Sequence, residues 1–307
     1  MAIISVGTMA FDAIETPFGK IDKIVGGSAT YVAYAASHLT QPVRQVSIVG
    51  DDFPEDEMKE LTSRGVEISG VEIVPGKKSF FWSGKYHLDM NTRDTLITDL
   101  NVLADFDPKI PDEYQGSEFL MLGNLMPAIQ ISVIKQLTTR PKLIVLDTMN
   151  FWMESAMDDL KTALTMIDVL MINDSEARQL SGEHSLVKAA KKVMDMGPRF
   201  LIIKKGEHGA LLFHENHIFF APALPLEDVF DPTGAGDAFA GGFIGHIDRT
   251  KNISFENLKT AIIVGSTMAS FCVEKFGPQR LKEITKKDID IRLQEFVQLV
   301  NFDIDVV

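Results

Sequence analysis

Residues 231–243, DPTGAGDAFAGGF, set one carboxylate, Asp237, in a run of small residues. Gly and Ala fill 7 of the 13 positions, so little side chain separates that acid from anything approaching the backbone. Pro232 cannot continue a central strand, and Gly234 and Gly236 open backbone conformations closed to other residues. Phe239, Phe243 and Ile247 then recur at helical spacing. A small-residue turn feeding a helix N-terminus presents backbone N–H groups and the positive end of the helix dipole, which together suit an anion. Asp237 falls in the first turn, beside that site. An acid there also stabilises a helix by about 0.3–1 kcal/mol, so plain helix capping is one reading. Gly241 and Gly242 each cost roughly 1 kcal/mol inside a helix, which implies that something packs closely against them. The chain has no G-x-x-x-x-G-K-[ST] loop, and Phe239 stands where a dinucleotide fingerprint needs its third glycine. The specific chemistry left is a carboxylate base facing a cradle for a migrating phosphoryl group, the logic of a hydroxyl kinase.

Such a site needs a scaffold, and the rest of the chain reads as one. Short apolar runs recur as AIISVG, QVSIVG, FLMLGN, KLIVLD, DVLMIN and FLIIKKG, with amphipathic patterns such as DEMKELTSRG, PAIQISVIKQLTTR and LVKAAKKVMDMG between them. That alternation predicts βαβ units and a parallel sheet covered on both faces. Ligands of such sheets bind beyond the carboxyl ends of the strands, so Asp51, Asn124, Asp147 and Asn173 become candidate site residues. Two stretches break the rhythm. KIDKIVGG and VEIVPGKKSFFWSGKYHLDM read as strands without intervening helices, which predicts a small β-sheet lid from segments within about 13–30 and 71–100. ALLFHENHIFFAPAL reads as a hairpin at the sheet edge. The whole of 1–307 is expected to form a single domain with this lid.

Composition narrows the class. With 45% hydrophobic residues the chain can bury a large core, and a formal net charge of −13 disfavours nucleic acid and anionic membranes. The single cysteine, Cys272, sits in an apolar run, excludes an internal disulfide and reads as a buried small hydrophobe. The N-terminal MAIISVGTMAFD lacks a basic stretch ahead of its apolar residues, and no apolar run approaches the roughly 20 residues of a membrane span. A soluble, cytoplasmic protein is expected. No H-E-x-x-H or similar cluster predicts a structural metal.

DPTGAGDAFAGGF resembles the C-terminal signature of the PfkB/ribokinase family of carbohydrate and nucleoside kinases. VGGSATYVAYAASHL resembles that family's early glycine-pair motif, NDSEARQLSG its N-x-x-E motif, and KKGEHGALLF its late G-x-x-G segment, in the family's order. The resemblance implies a ribokinase-like three-layer α/β/α domain with a mostly parallel central sheet and a β-lid. It implies ATP and magnesium as cofactors, with potassium in some members. Residue by residue, it implies that Asp237 is the base and that Gly234, Ala235 and Gly236 form the anion hole. Asp231 and Thr233 fall where members bind a monovalent cation. Asn173 and Glu176 would organise magnesium, partly through water; they also fit a capping box, and that alternative stays open. Asp12 would grip acceptor hydroxyls against Gly26 and Gly27, and Lys204, Gly206 and Gly209 would border the nucleotide. Gly206 and Gly209 also suit a hairpin, Asp12 a plain strand end, and His208 a surface position.

The chain departs from the family at Tyr31, where members usually carry an acceptor-setting Asn. The lid's Phe80, Phe81, Trp82 and Tyr86 suit packing within the lid, a homodimer contact through it, or a stacked base. The expected function is transfer of the γ-phosphoryl group of ATP to a hydroxyl of a sugar or sugar-like acceptor, with a nucleoside as the alternative. A non-catalytic nucleotide or sugar sensor on the same fold is disfavoured because the base Asp237 is retained.

Overall fold

Along β1 (Ile3–Val6) successive apolar side chains enter opposite cores, Ile3 one and Ile4 and Val6 the other, all at most 1% exposed. This is the pattern of a strand buried on both faces. The computed structural model describes residues 2–301. Among them, β1 lies within a nine-stranded sheet with β4 (Val43–Gly50), β5 (Val66–Val74), β8 (Phe119–Leu122), β9 (Leu143–Asp147), β10 (Val169–Asn173), β11 (Phe200–Lys204), β12 (Ala210–His214) and β13 (His217–Ala221). The spatial order is β13-β12-β11-β10-β9-β8-β1-β4-β5. All neighbours from β5 to β11 pair in parallel; β12 and β13 add the predicted antiparallel hairpin at the edge.

Helices cover both faces. On one side, α1 (Ser28–Ser37), α2 (Glu55–Ser63), α8 (Ala235–Thr250), α9 (Phe255–Cys272), α10 (Gln279–Glu283) and α11 (Lys286–Val300) supply residues to one core. On the other, α3 (Pro127–Gln136), α4 (Asn150–Ser155), α5 (Met157–Leu164), α6 (Asp174–Ser181) and α7 (Leu186–Met194) supply the second. The layers are α/β/α, and no described helix is long and apolar enough to cross a membrane. The strand order reverses between β1 and β8, the switch point where a ligand crevice opens in such sheets.

A second sheet of β2 (Ala10–Thr16), β3 (Gly19–Gly26), β6 (Phe80–Tyr86) and β7 (Arg93–Asp99) runs in the order β3-β2-β6-β7. Its limits correct the sequence expectation. It begins at Ala10 rather than near residue 13, and residues 71–74 end β5 of the main sheet instead of entering the lid. The run VEIVPGKK looked like lid because no helix separates it from SFFWSGKY. The glycines inside α8 have a structural cause. A Cβ on Gly241 would fall 2.6 Å from the Val32 carbonyl oxygen of α1, and one on Gly242 2.8–2.9 Å from Met268 and Gly265 of α9. The close approach is that of neighbouring helices.

Candidate active site

The turn before α8 is built as its composition requires. Gly234 is the N-cap at φ 76°, ψ −3°, a left-handed conformation, and no side chain caps the helix. A side chain on Gly234 would overlap the Tyr31 ring packed beneath it. The first N–H groups of α8 therefore lack a side-chain cap in the crevice, which is the arrangement that receives an anion. Asp237, half-buried in the first helical turn, has its pKa raised to about 7. Burial does most of this and the Asp147 carboxylate adds to it; Lys204 and Arg93 pull the other way. A carboxylate poised near neutrality is suited to accept a proton at physiological pH.

Asp231 fixes the turn. Its Oδ1 accepts the Thr233 N–H at 2.8 Å and its Oδ2 the Gly277 N–H at 2.9 Å, with no side-chain exposure. That is an Asx-type brace tying the turn to the loop after α9. Buried Cys272 lies under the same turn, its Sγ 3.6 Å from the Thr233 carbonyl oxygen.

Asp12 projects from β2, where a Cβ on Gly26 would overlap its carboxylate and the bare backbone of Gly26 and Gly27 forms the floor. Gly27 sits at φ 92°, open only to glycine. Burial raises the Asp12 pKa to about 8, with the Asp231 and Asp237 charges adding to it, so the three acids share one locality. Tyr31 belongs to the same cluster. It is 1% exposed, its hydroxyl has no hydrogen-bond partner among the described residues, and burial followed by the Asp12 charge raises its pKa.

On the far side of Asp237, β9, β10 and β11 end in Asp147, Asn173 and Lys204. Lys204 Nζ lies 2.9 Å from Asp147 Oδ2 and 3.0 Å from where a Gly236 Cβ would sit, so the ammonium abuts the anion turn. Burial works against its charge, but Asp147, Glu176 and Asp237 outweigh it and keep the Lys204 pKa raised. Asn173 and Glu176 form the capping box of α6: Asn173 Oδ1 accepts the Glu176 N–H at 2.8 Å, and Glu176 Oε2 accepts the Asn173 N–H at 2.7 Å. Burial lifts the Glu176 pKa to about 7, helped by repulsion from Asp147. Capping therefore uses one Glu176 oxygen.

Gly206 and Gly209 flank a short turn between β11 and β12. Gly209, at φ 82°, is required by the chain itself, since a Cβ would overlap the Ala221 carbonyl. Gly206 is exposed at the crevice rim. His208 is exposed, with 71% of its side chain accessible. Of the other strand-end candidates, exposed Asp51 braces a turn through the Gly76 N–H, and Asn124 accepts the Trp152 indole N–H at 2.9 Å.

Sequence reasoning gave Asp147 no partner, named Tyr86 only as a lid aromatic and missed Arg93. Tyr86, buried at the end of β6, accepts a hydrogen bond at 3.2 Å from the Thr233 hydroxyl. Arg93, opposite Tyr86 on β7, lowers the pKa values of both Asp237 and Glu176. Asp147 ended an apolar strand and could be suspected from that alone. Nothing local in TRDTL singles out Arg93.

The model of the pfkB family carbohydrate kinases matches residues 3–285, across both sheets and the anion turn. This chain belongs to the pfkB family. It is a kinase that transfers a phosphoryl group to a sugar or nucleoside acceptor. A cytidine kinase of Thermococcus kodakarensis is 28% identical over 285 residues, covering 90% of this chain and 97% of that protein. A nucleoside kinase of Burkholderia thailandensis, solved with ADP and inosine, superposes with a TM-score of 0.79 at 21% identity, covering 95% of both chains. A putative ribokinase II of E. coli, solved with ATP and magnesium, gives a TM-score of 0.77 at 19% identity, covering 95% of this chain and 98% of that one. The two structures establish the shared ribokinase fold.

Proposed function

We propose that this pfkB-family kinase transfers the γ-phosphoryl group of ATP to a hydroxyl of a nucleoside. The observation that carries the acceptor is the lid register. Asp12 of β2 pairs directly with Trp82 of β6. Cross-strand partners project from the same face. The side chain that would hold ribose hydroxyls and the half-buried Trp82 indole therefore share one surface. A compact sugar would use Asp12 and the glycine floor and leave the indole idle. A nucleoside uses both. The cytidine kinase and nucleoside kinase among the similar proteins support the same choice, which moves the acceptor away from the free sugar favoured by sequence alone.

In this reading Asp12, with Gly26, Gly27 and Tyr31 at its floor, orients the ribose. Asp237 accepts the proton of the acceptor hydroxyl as its oxygen attacks the γ-phosphorus, and ADP leaves in line. The N–H groups of the turn at Gly234, Ala235 and Gly236 hold the migrating group, and Lys204 adds a cation beside it. Gly206 and Gly209 border the nucleotide.

Magnesium fits the opposite wall. No group of three described His, Cys, Asp or Glu side chains could grip it directly, yet Glu176 and Asp147 repel each other across a site with one lysine, a field that a divalent cation relieves. Arriving with the phosphates, it would neutralise their charge, with Asn173, Glu176 and Asp147 holding its waters. A monovalent cation such as potassium beside Asp231 and Thr233 would reinforce the same braced turn. The exposed outer strand β7, with Leu96 and Ile97 at 56% and 47% exposure, supports a second copy docking through the lid. Buried Cys272 and the acidic composition support a reducing, cytoplasmic setting.

The test is kcat/KM for cytidine, inosine and adenosine against ribose, each with wild type and Trp82→Ala. Stacking is worth roughly 0.5–1.5 kcal/mol beyond area burial, so the variant should lose about tenfold on nucleosides and nothing on ribose. Ribose as the better substrate, or equal losses on all four, would return the acceptor to a sugar.

A further inference from the structure

The strands β9, β10 and β11 end beside the anion turn, and their register fixes which side chains share a face. Met171 of β10 lies opposite Asp147 of β9, and Asn173, two residues on, lies opposite Lys204 of β11. Side chains alternate along a strand. Asp147, Asn173 and Lys204 therefore project from the same face as Met171, which enters the core shared with Phe239 and Phe243 of α8. Asp147 and Lys204 meet across β10, with Lys204 Nζ 2.9 Å from Asp147 Oδ2 and the Asp147 and Lys204 side chains only 9% and 18% exposed.

Asp147 has little freedom. Its Oδ1 accepts the Thr148 N–H at 2.8 Å, and its main-chain oxygen accepts Gln130 Nε2 of α3 at 3.0 Å. The same Nε2 donates to the Gly123 carbonyl, just past β8, at 2.9 Å, and Gln130 is fully buried. One amide thus clips the ends of β8 and β9 together, while the Thr148 N–H aims the carboxylate. Lys204 is the opposite case, a point charge on four flexible methylenes with about 2 kcal/mol of rotamer entropy to lose. Asp147 is its only ion-pair and side-chain hydrogen-bond partner among the described residues. An ammonium has three N–H donors, so two stay free. They lie against bare backbone, because Nζ is 3.0 Å from the place a Gly236 Cβ would occupy.

We propose that Asp147 is a positioning residue, holding the Lys204 ammonium beside the turn at Gly236 with its free N–H groups available to the migrating phosphoryl group. A charge fixed in advance stabilises the transition state without the cost of gathering a mobile side chain at that moment. The lysine is thereby aimed from α3, through Gln130 and the end of β9, before any anion arrives. This assignment rests on reading the turn and Asp237 as the phosphoryl site.

The experiment measures steady-state transfer from ATP to the best nucleoside for wild type, Asp147→Asn, Lys204→Ala, the double variant and Asp237→Asn. Each is run with and without propylammonium, the fragment that Lys204→Ala removes. Asparagine keeps an oxygen for the Thr148 N–H but loses the charge that holds the ammonium. Losing one preorganised donor costs roughly 10²–10³ in kcat, the fall expected for Lys204→Ala. Asp147→Asn should lose at least about tenfold in kcat while its nucleoside KM stays within about threefold of wild type. Because Asp147 acts through Lys204, the double variant should turn over within about threefold of Lys204→Ala and not multiply the two losses. Propylammonium should restore at least about tenfold in Lys204→Ala and nothing in the double variant, which has no carboxylate to hold it. That last comparison carries the test even if Asp147→Asn, with its ammonium left unpaired, does not fold. Normal kcat in Asp147→Asn, losses that multiply, or propylammonium rescue that is absent from Lys204→Ala or equal in both lysine variants overturns the assignment. So does an Asp147→Asn loss that saturating magnesium abolishes, which gives the carboxylate to the metal's waters. If Asp237→Asn is inert while Asp147→Asn turns over normally, only the positioning role is wrong. If Asp237→Asn matches wild type, the phosphoryl-site reading fails and takes the positioning role with it.

Discussion

Asp12 should cost this protein stability, and the cost should grow with pH. Its pKa moves from 3.8 to about 8, chiefly through burial and then through the charges of Asp231 and Asp237. A carboxyl that binds its proton more tightly in the fold than in the unfolded chain favours the native state most below pH 3.8. It loses that advantage as pH climbs toward about 8. Each pH unit in the window is worth about 1.4 kcal/mol, so wild type should forfeit about 3 kcal/mol between about pH 5.5 and pH 8 through this group. Asp12→Asn keeps the shape and an acceptor oxygen for the Gly27 N–H but carries no charge at any pH. Urea unfolding of both proteins at the two pH values measures the difference directly, with equal m-values required for the comparison. The variant's advantage should be larger at the higher pH by about 3 kcal/mol, while its nucleoside KM rises because the hydroxyl grip is lost. An advantage that does not change with pH, or a variant less stable than wild type at pH 8, would refute the burial argument.

Three further outcomes concern the neighbouring acids Asp237 and Glu176. Because the Asp237 carboxyl is raised to about 7 and acts deprotonated, kcat/KM should climb about tenfold per pH unit below neutrality and level off above it; Asp237→Asn should lower turnover roughly 10²–10⁴-fold with nucleotide affinity nearly unchanged, measured by titration with ADP. Glu176→Gln should raise the magnesium concentration needed for half-maximal rate while leaving the melting temperature almost unaltered, since Gln still accepts the Asn173 N–H; unchanged magnesium dependence would leave Glu176 as a cap alone.

The sequence by itself determined the scaffold and one half of the site. Short, near-continuous apolar runs alternating with amphipathic helices leave a doubly covered parallel sheet as the natural way to bury both sets of faces, and β1, β4 and β8–β11 fall on those runs. The anion turn was legible because its chemistry is local. Pro232, Gly234 and the helical spacing after Asp237 lie within one short stretch, and their backbone demands can be read residue by residue. The two-way reading of Asn173 and Glu176 was local as well, and the capping half of it is visible in the structure.

Tertiary structure decided what depends on register and on distant strands meeting. Asp12 and Trp82 lie 70 positions apart, and only the parallel pairing of β2 with β6 puts them on one face; a slip of one residue would turn the indole away. The Asp147–Lys204 pair joins the ends of β9 and β11, which never pair with each other and meet only across β10. Gly241 and Gly242 announced a close approach in sequence, but only the packing of α1 and α9 shows that helices fill it. Arg93 had no local signal at all. Its charge reaches Asp237 and Glu176 through a hairpin pinned at Thr233 and Glu207, more than a hundred residues downstream, because charge complementarity is a property of surfaces brought together and is not written into either segment alone.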